Sequence, residues 1–195
     1  MNIALKKIRL GLDIDGCLYR WSDTARYLLR TYKDNDPGES KTWDWIKDHL
    51  PREDWMWLWK DGVEKHGLFR YGSIYKGSRE FLVNMQPYCD NVIITSRPPT
   101  AVQDTMEWLS YQRVPTSEVH IISSGLKSTV LPHCDVYIDD AIHNAEDLIQ
   151  NTEALVFMPD RPWNKGFKDK RLLKFYNWYE LEQELLEIHG EMNGT

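Results

Sequence analysis

Five short runs of apolar residues, each closing on small, polar or acidic residues, recur along the chain: IRLGLDID at 8–15, NVIITS at 91–96, EVHIIS at 118–123, DVYIDD at 135–140 and EALVFM at 153–158. Runs of this length predict strands buried on both faces, as in a parallel sheet. Between the later runs stand helix-compatible segments, AVQDTMEWLSYQR, GLKSTVLPH and AIHNAEDLIQ, long enough for right-handed crossovers. The pattern predicts a doubly wound, Rossmann-like α/β sheet with ligands at the carboxyl ends of its strands. Residues 18–75 break the alternation, with helices expected at 22–33, 41–50 and 52–62 and no buried strand. They read as a helical insertion after the first strand, which leaves 1–17 and 76–195 as the core. KDNDPGES is a polar turn inside the insertion, Pro51 stands at a favourable first helical position, and Asn177 is placed to cap a closing amphipathic helix that runs to Glu191.

Composition narrows this picture. At 195 residues the chain can bury one good core and still carry a lid. A formal charge of −6 argues against a protein that grips long nucleic acid through a basic face, whereas a small charged substrate remains compatible. Cys17, Cys89 and Cys134 are odd in number, far apart and without C-x-x-C spacing, so they read as buried thiols in a reducing compartment. The N-terminal stretch has neither a signal-peptide core nor the length of a membrane span, and the expected location is the cytoplasm, away from membranes. Nine tryptophans are present, with Trp21, Trp43, Trp45, Trp55, Trp57 and Trp59 crowded into the first third. Trp55, Trp57 and Trp59 alternate in a way that no single helix face can bury, so at least one is expected to be exposed or to face a partner, which leaves room for a homodimer.

The chemistry-bearing residues fall at strand ends. Asp13 and Asp15 flank Ile14 and precede Gly16; alternate side chains of an extended chain share a face, and glycine lets the backbone turn away. By itself this is also a common turn. Thr95 and Ser96 end the second run as uncharged hydroxyls able to donate to a phosphate oxygen, or to cap the following helix. Lys127 is placed at the opening of a helix, where a cation is unfavourable unless an anion is held there; alone it reads as a surface lysine. Asp139 and Asp140 end the fourth run. In the expected sheet these residues gather round one pocket, and several oxygen donors in a small space suit Mg²⁺ better than zinc.

GLDIDG, VIITS, Lys127 and YIDD resemble, in order and spacing, the four signature motifs of the haloacid-dehalogenase (HAD) superfamily of phosphatases. The resemblance implies that Asp13 is the nucleophile that forms an aspartyl-phosphate, and that Asp15 is the acid and base. Mg²⁺ would be held by Asp13, the Asp15 main-chain carbonyl and Asp140, with Asp139 behind, while Thr95, Ser96 and Lys127 would bind the phosphoryl group. DIDGCLYRW, GLFRYGSIYKGSREFL and FMPDRPWNKGF further resemble the 5′(3′)-deoxyribonucleotidases and related bacterial and phage nucleotidases. That likeness implies a small phosphomonoester substrate, a nucleoside 5′-monophosphate and in particular a deoxyribonucleotide, and an aromatic at position 21 that stacks on the base. Trp21 fills this place, with Trp45 and Phe69 as further members of the wall. A phosphatase for another small metabolite, or a silent module that grips a partner through its tryptophans, are the alternatives.

Overall fold

The computed structural model describes residues 5–194; the first four residues of the expected core and its last, residue 195, lie outside them. Six strands form one parallel sheet: β1 (Ile8–Leu12), β2 (Cys89–Thr95), β3 (Glu118–Ile121), β4 (Val136–Ile138), β5 (Leu155–Pro159) and β6 (Leu172–Phe175), in the order β3-β2-β1-β4-β5-β6. The order reverses direction at β1, and the loops after β1 and β4 part around a crevice where doubly wound sheets bind ligands. β1 is one of the two central strands and is almost wholly buried, which is why its sequence shows no polar alternation.

Among the described residues there are seven α-helices: α1 (Trp21–Lys33), α2 (Trp45–His49) and α3 (Arg52–Trp57) in the insertion, and α4 (Ser78–Asn84), α5 (Val102–Gln112), α6 (Ile142–Asn151) and α7 (Trp178–Asn193) around the sheet. One apolar cluster joins β1 to α4, α5 and α7 around Leu10, Leu12, Phe81, Trp108 and Leu185, and another on the opposite face joins β2 and β5 to α6. The insertion has its own cluster of Leu28, Leu29, Trp45, Ile46, Leu58, Leu68 and Phe69. Asn177 accepts a hydrogen bond from the Glu180 amide at the start of α7 (3.0 Å), as its side chain predicts.

Three expectations about elements need correction, and two elements have no counterpart among the expectations. The helix placed at 41–50 is confined to α2, because Thr42 and Asp44 spend their side chains on Asp48 and Lys47 in the preceding turn. The segment GLKSTVLPH contains only a 3₁₀ turn at Lys127–Thr129; Ser128 is held by Asp147 through both its amide (2.8 Å) and its hydroxyl (2.7 Å), and Pro132 cannot extend a helix. Lys127 therefore does not open a helix. The strand β6 and the helix α4 were not foreseen, the first because LLKF is short and interrupted by a lysine. The expected helix at 52–62 is α3 continued by a π-helical turn at Leu58–Gly62. Trp55 and Trp57, in α3, are half-buried, and Trp59, in the π-helical turn, is exposed.

Candidate active site

The chain leaves β1 at Leu12 and turns sharply through Gly16, which adopts φ +80°. A Cβ there would lie 2.0 Å from Asp140 Oδ2, so glycine is needed both for the turn and for the approach of the two loops. The Asp13 amide donates to the Ile138 carbonyl (3.0 Å), which brings the ends of β1 and β4 into contact. Gly16→Ala is expected to lower stability by about 1–3 kcal/mol through backbone strain alone and to push Asp140 from its place. Urea unfolding checks this, and an unchanged midpoint would show that the turn has room.

Lys127 is almost completely buried and lies between two carboxylates: its Nζ donates to Asp13 Oδ1 (2.6 Å) and to Asp139 Oδ2 (2.5 Å). The anion that a cation needs at this position is thus supplied by the protein itself. Asp139 also accepts from the Ala141 amide (2.9 Å) and from Asn144 Nδ2 (3.2 Å to each oxygen). With both oxygens engaged, Asp139 is a support behind the site. Asp140 accepts from the Trp163 indole N–H (2.9 Å), and its main-chain carbonyl accepts from Asn164 Nδ2 (2.9 Å). Arg161 donates twice to the Gly16 carbonyl (3.1 and 2.9 Å) while lying over the Tyr75 ring. The loop after β5 therefore braces both the turn after β1 and Asp140.

Electrostatics at this floor are unbalanced. Three carboxylates, Asp13, Asp139 and Asp140, face one buried ammonium, which leaves two negative charges in excess if all are ionised. Burial, opposed by Lys127 and aided by Asp139 and Asp15, raises the Asp13 carboxyl to about 7. Burial and the charges of Asp13 and Asp139 hold Asp140 well above the ordinary carboxylate range. Lys127 suffers the opposite burial penalty, yet Asp13 and Asp139 more than offset it and raise its pKa. Donor atoms of Asp13, Cys17 and Asp140 lie within 4.8 Å of one another. Burial and the charges of Asp140, Asp13 and Asp139 drive the Cys17 thiol far up, so it stays a neutral neighbour and the oxygens are the effective donors. The donor set and the charge excess fit a hard divalent cation.

Above this floor opens a cavity of about 360 Å³, within the range of small-molecule sites. Asp13, Asp15, Ser96 and Asp140 line its base, and Trp21, Trp45, Trp55, Trp59 and Phe69 its sides. Trp21 stacks on Trp59 (5.8 Å between ring centroids, 27° between planes). Trp45 is pinned by its indole N–H on the Pro37 carbonyl (2.9 Å). Trp43 meets His143 edge-on across the rim (5.0 Å), joining the insertion to α6. The hydroxyl of Ser96 is buried without a hydrogen-bond partner, whereas Thr95 is fully buried and its Oγ1 accepts only a long bond from the Arg97 amide (3.4 Å). Of the two hydroxyls, Ser96 is the one that borders the cavity; Thr95, Lys127 and Asp139 form the layer beneath.

Sequence reasoning gives Asn144 and Trp163 no task and reads Arg97 and Arg161 only as exposed arginines able to reach phosphate or sugar or to support the site from behind; in the structure Arg97 bonds Asp15 and Arg161 the Gly16 carbonyl. Asn144 carried a readable signal, an amide five residues after Asp139 at the start of a helix. Trp163 and Arg97 reach the site from loops whose conformation no local pattern gives. Arg97 grips Asp15 through two bonds, Nε to Oδ2 (2.9 Å) and Nη2 to Oδ1 (2.8 Å).

Comparison with known proteins bears on the family and the fold. Residues 6–189 match the model of the family described as "5' nucleotidase, deoxy (Pyrimidine), cytosolic type C protein". The 5'(3')-deoxyribonucleotidase of Bacillus phage SPbeta is 27% identical over 188 residues, which span 93% of this chain and 100% of the relative. Among solved structures, a HAD-superfamily hydrolase of subfamily IA from Geobacter sulfurreducens superposes with a TM-score of 0.63 at 11% identity, over 94% of this chain and 99% of that one. A HAD-type hydrolase from Bacillus subtilis, bound to magnesium, gives 0.59 at 12% identity, over 92% and 99%. At these identities the structural likeness is one of fold. Among the described residues no helix is long and apolar enough to cross a membrane.

Proposed function

The chain belongs to the family of 5′-nucleotidases, deoxy (pyrimidine), cytosolic type C, and from that premise we propose that it hydrolyses nucleoside 5′-monophosphates, deoxyribonucleotides above all, to nucleoside and phosphate. The observation that carries this reading is a single cavity with a carboxylate floor and tryptophan walls: Asp13 at the base and the Trp21–Trp59 stack at the side. Phosphate chemistry and a π surface for a nucleobase are thereby within one ligand's length.

In this mechanism Asp13 attacks phosphorus; a bond forms from its carboxylate oxygen while the bond from phosphorus to the 5′-oxygen breaks. Asp15 gives its proton to that leaving oxygen, then takes one from the water that releases phosphate from Asp13. Ser96 donates its unpartnered hydroxyl to a phosphoryl oxygen. Lys127 offsets the charge that builds up there, and Thr95 supports the loop from below. Asp13, Asp140 and the Asp15 main-chain carbonyl would hold Mg²⁺, with Asp139 behind them; when bound, the ion neutralises phosphoryl charge.

Residues 18–75 act as the lid and 1–17 with 76–195 as the catalytic core. The two connections run side by side, with the Arg20 amide on the Ser73 carbonyl (3.0 Å) and a bridge between Tyr19 and Ile74, so the lid has one narrow hinge line about which to close and exclude water. Within the lid Tyr19 donates to the Leu68 carbonyl (2.6 Å), and from the core Arg97 donates to the Phe69 carbonyl (3.0 Å), so Phe69 is the part of the lid that is tied to the core.

The test is a panel of deoxyribonucleotides, ribonucleotides, sugar phosphates and 5′-phosphorylated oligonucleotides, assayed by phosphate release with Mg²⁺ and again after EDTA. Mononucleotides are expected to lead by about tenfold or more in kcat/KM, a difference of binding that one occupied aromatic wall can supply, and EDTA is expected to stop turnover until Mg²⁺ is restored. A preference for sugar phosphates or for oligonucleotide ends would remove the nucleotide reading, and EDTA-resistant turnover would remove the metal.

A further inference from the structure

The Arg97 side chain is 0% exposed, and its surroundings direct it at one carboxylate. Two of its nitrogens seat Asp15, and the third, Nη1, donates to the Phe69 main-chain carbonyl (3.0 Å) and to Thr105 Oγ1 (3.3 Å). The rings of Tyr19, Phe69 and Trp108 stand 4.6, 4.9 and 5.7 Å from its central carbon. A planar fork enclosed by three rings and tied at its far end cannot rotate, so the carboxylate seated on it takes one orientation. Stability alone is a weak reason for such an arrangement, because burying a guanidinium costs much of what its ion pair returns. Asp15, moreover, is 26% exposed and lines the cavity, so the enclosed partner serves the one that faces the ligand.

We infer that Arg97 is a positioning residue for proton transfer: it aims Asp15 at the leaving oxygen and, through the Phe69 carbonyl, registers that aim against the wall on which the leaving nucleoside rests. The inference rests on Asp15 being the acid of the proposed function. As the bond from phosphorus to the leaving oxygen breaks, its electron pair remains on that oxygen and the proton of Asp15 joins it. An alkoxide needs that proton; a nitrophenolate is stable as an anion and does not. Misaiming Asp15 therefore slows the reaction in proportion to how poor the leaving group is, which a general loosening of the fold would not do.

The experiment measures kcat and KM of wild type and Arg97→Lys with a deoxyribonucleoside 5′-monophosphate and with p-nitrophenyl phosphate, with circular dichroism on each protein. Lysine keeps the charge but has no fork. The expected result is a fall in kcat on the nucleotide of about 10²-fold, the usual size of a general-acid contribution, a fall at least about tenfold smaller on p-nitrophenyl phosphate, and KM values that move far less than kcat. Equal losses on both substrates, or no loss on the nucleotide, overturn the inference. If Arg97→Lys does not fold, Thr105→Val decides, since of the Arg97 nitrogens it loosens only Nη1, besides removing the bond from the Thr105 hydroxyl to the Ala101 carbonyl (2.8 Å): a shift of the substrate ratio in the same direction supports the role, and an unchanged ratio in the folded variant overturns it. Wild type that ignores nucleotides but cleaves another alkyl phosphate refutes the proposed substrate alone, and the Arg97 ratio is then read on that alkyl phosphate.

Discussion

Asp13→Asn is expected to reduce phosphate release by at least about 10³-fold, because it removes the atom that forms the covalent intermediate and no neighbouring group can replace it. The fold is expected to survive. In the metal-free protein Asp13 holds its proton up to about pH 7, whereas an ordinary aspartate loses it near 3.8. The folded state thus binds more protons than the unfolded chain between these values, and stability falls as pH rises through that window. Asparagine removes this cost while leaving Lys127 its bond to Asp139. Thermal unfolding at pH 5 and pH 8 beside a phosphate-release assay separates the two effects. Wild type should lose stability between these pH values and the variant should lose less. Retention of more than a few per cent of activity would exclude Asp13 as the covalent nucleophile.

Lys127→Met has the other large effect, and it is first of all structural. The ammonium is 2% exposed and bonds both Asp13 and Asp139; methionine fills the space but leaves three buried carboxylates without a counter-charge. Breaking a buried pair in this way costs about 3–5 kcal/mol. Burial and mutual repulsion already raise Asp13 and Asp140, and without the lysine they are driven further up. The variant should therefore bind more protons folded than unfolded near neutrality, and its stability deficit should shrink as pH falls from 8 to 5. Added Mg²⁺ should recover part of the deficit, since a ligand of the folded state stabilises it, while turnover stays low. Denaturant titrations across that pH range, with and without Mg²⁺, measure this. A deficit independent of pH would mean that Lys127 acts through packing and not through charge.

The central strands were legible because burial on both faces leaves no alternative to continuous apolar residues, as in IRLGL and VIIT, and the acids that close them mark where each run reaches solvent. The helices with strong caps or periodicity, α1, α5, α6 and α7, could be read for the same local reasons. Lys127 misled, since its charge and its place beside glycine read as a surface helix start; only the arrival of Asp13 and Asp139 from two other strands makes a buried ammonium tolerable. The segment around it stays in a 3₁₀ turn because Asp147, on α6, takes the hydrogen bonds that a helix would have used. β6 is a strand by virtue of the edge offered by β5, not by its own composition.

The sequence by itself determined the sheet class and marked the helical segment after β1 and the candidate acids, because periodicity and motif spacing are properties of neighbours along the chain. Which of those groups meet the cavity and which stand behind it was decided only in three dimensions. Ser96 borders the cavity while Thr95 is covered, Asp140 borders it while Asp139 is spent on Lys127 and Asn144, and Arg97 holds Asp15 from within a cage of three rings. Orientation and charge balance of this kind depend on partners up to 145 residues apart, as with Arg161 on Gly16, and a local pattern carries no record of them.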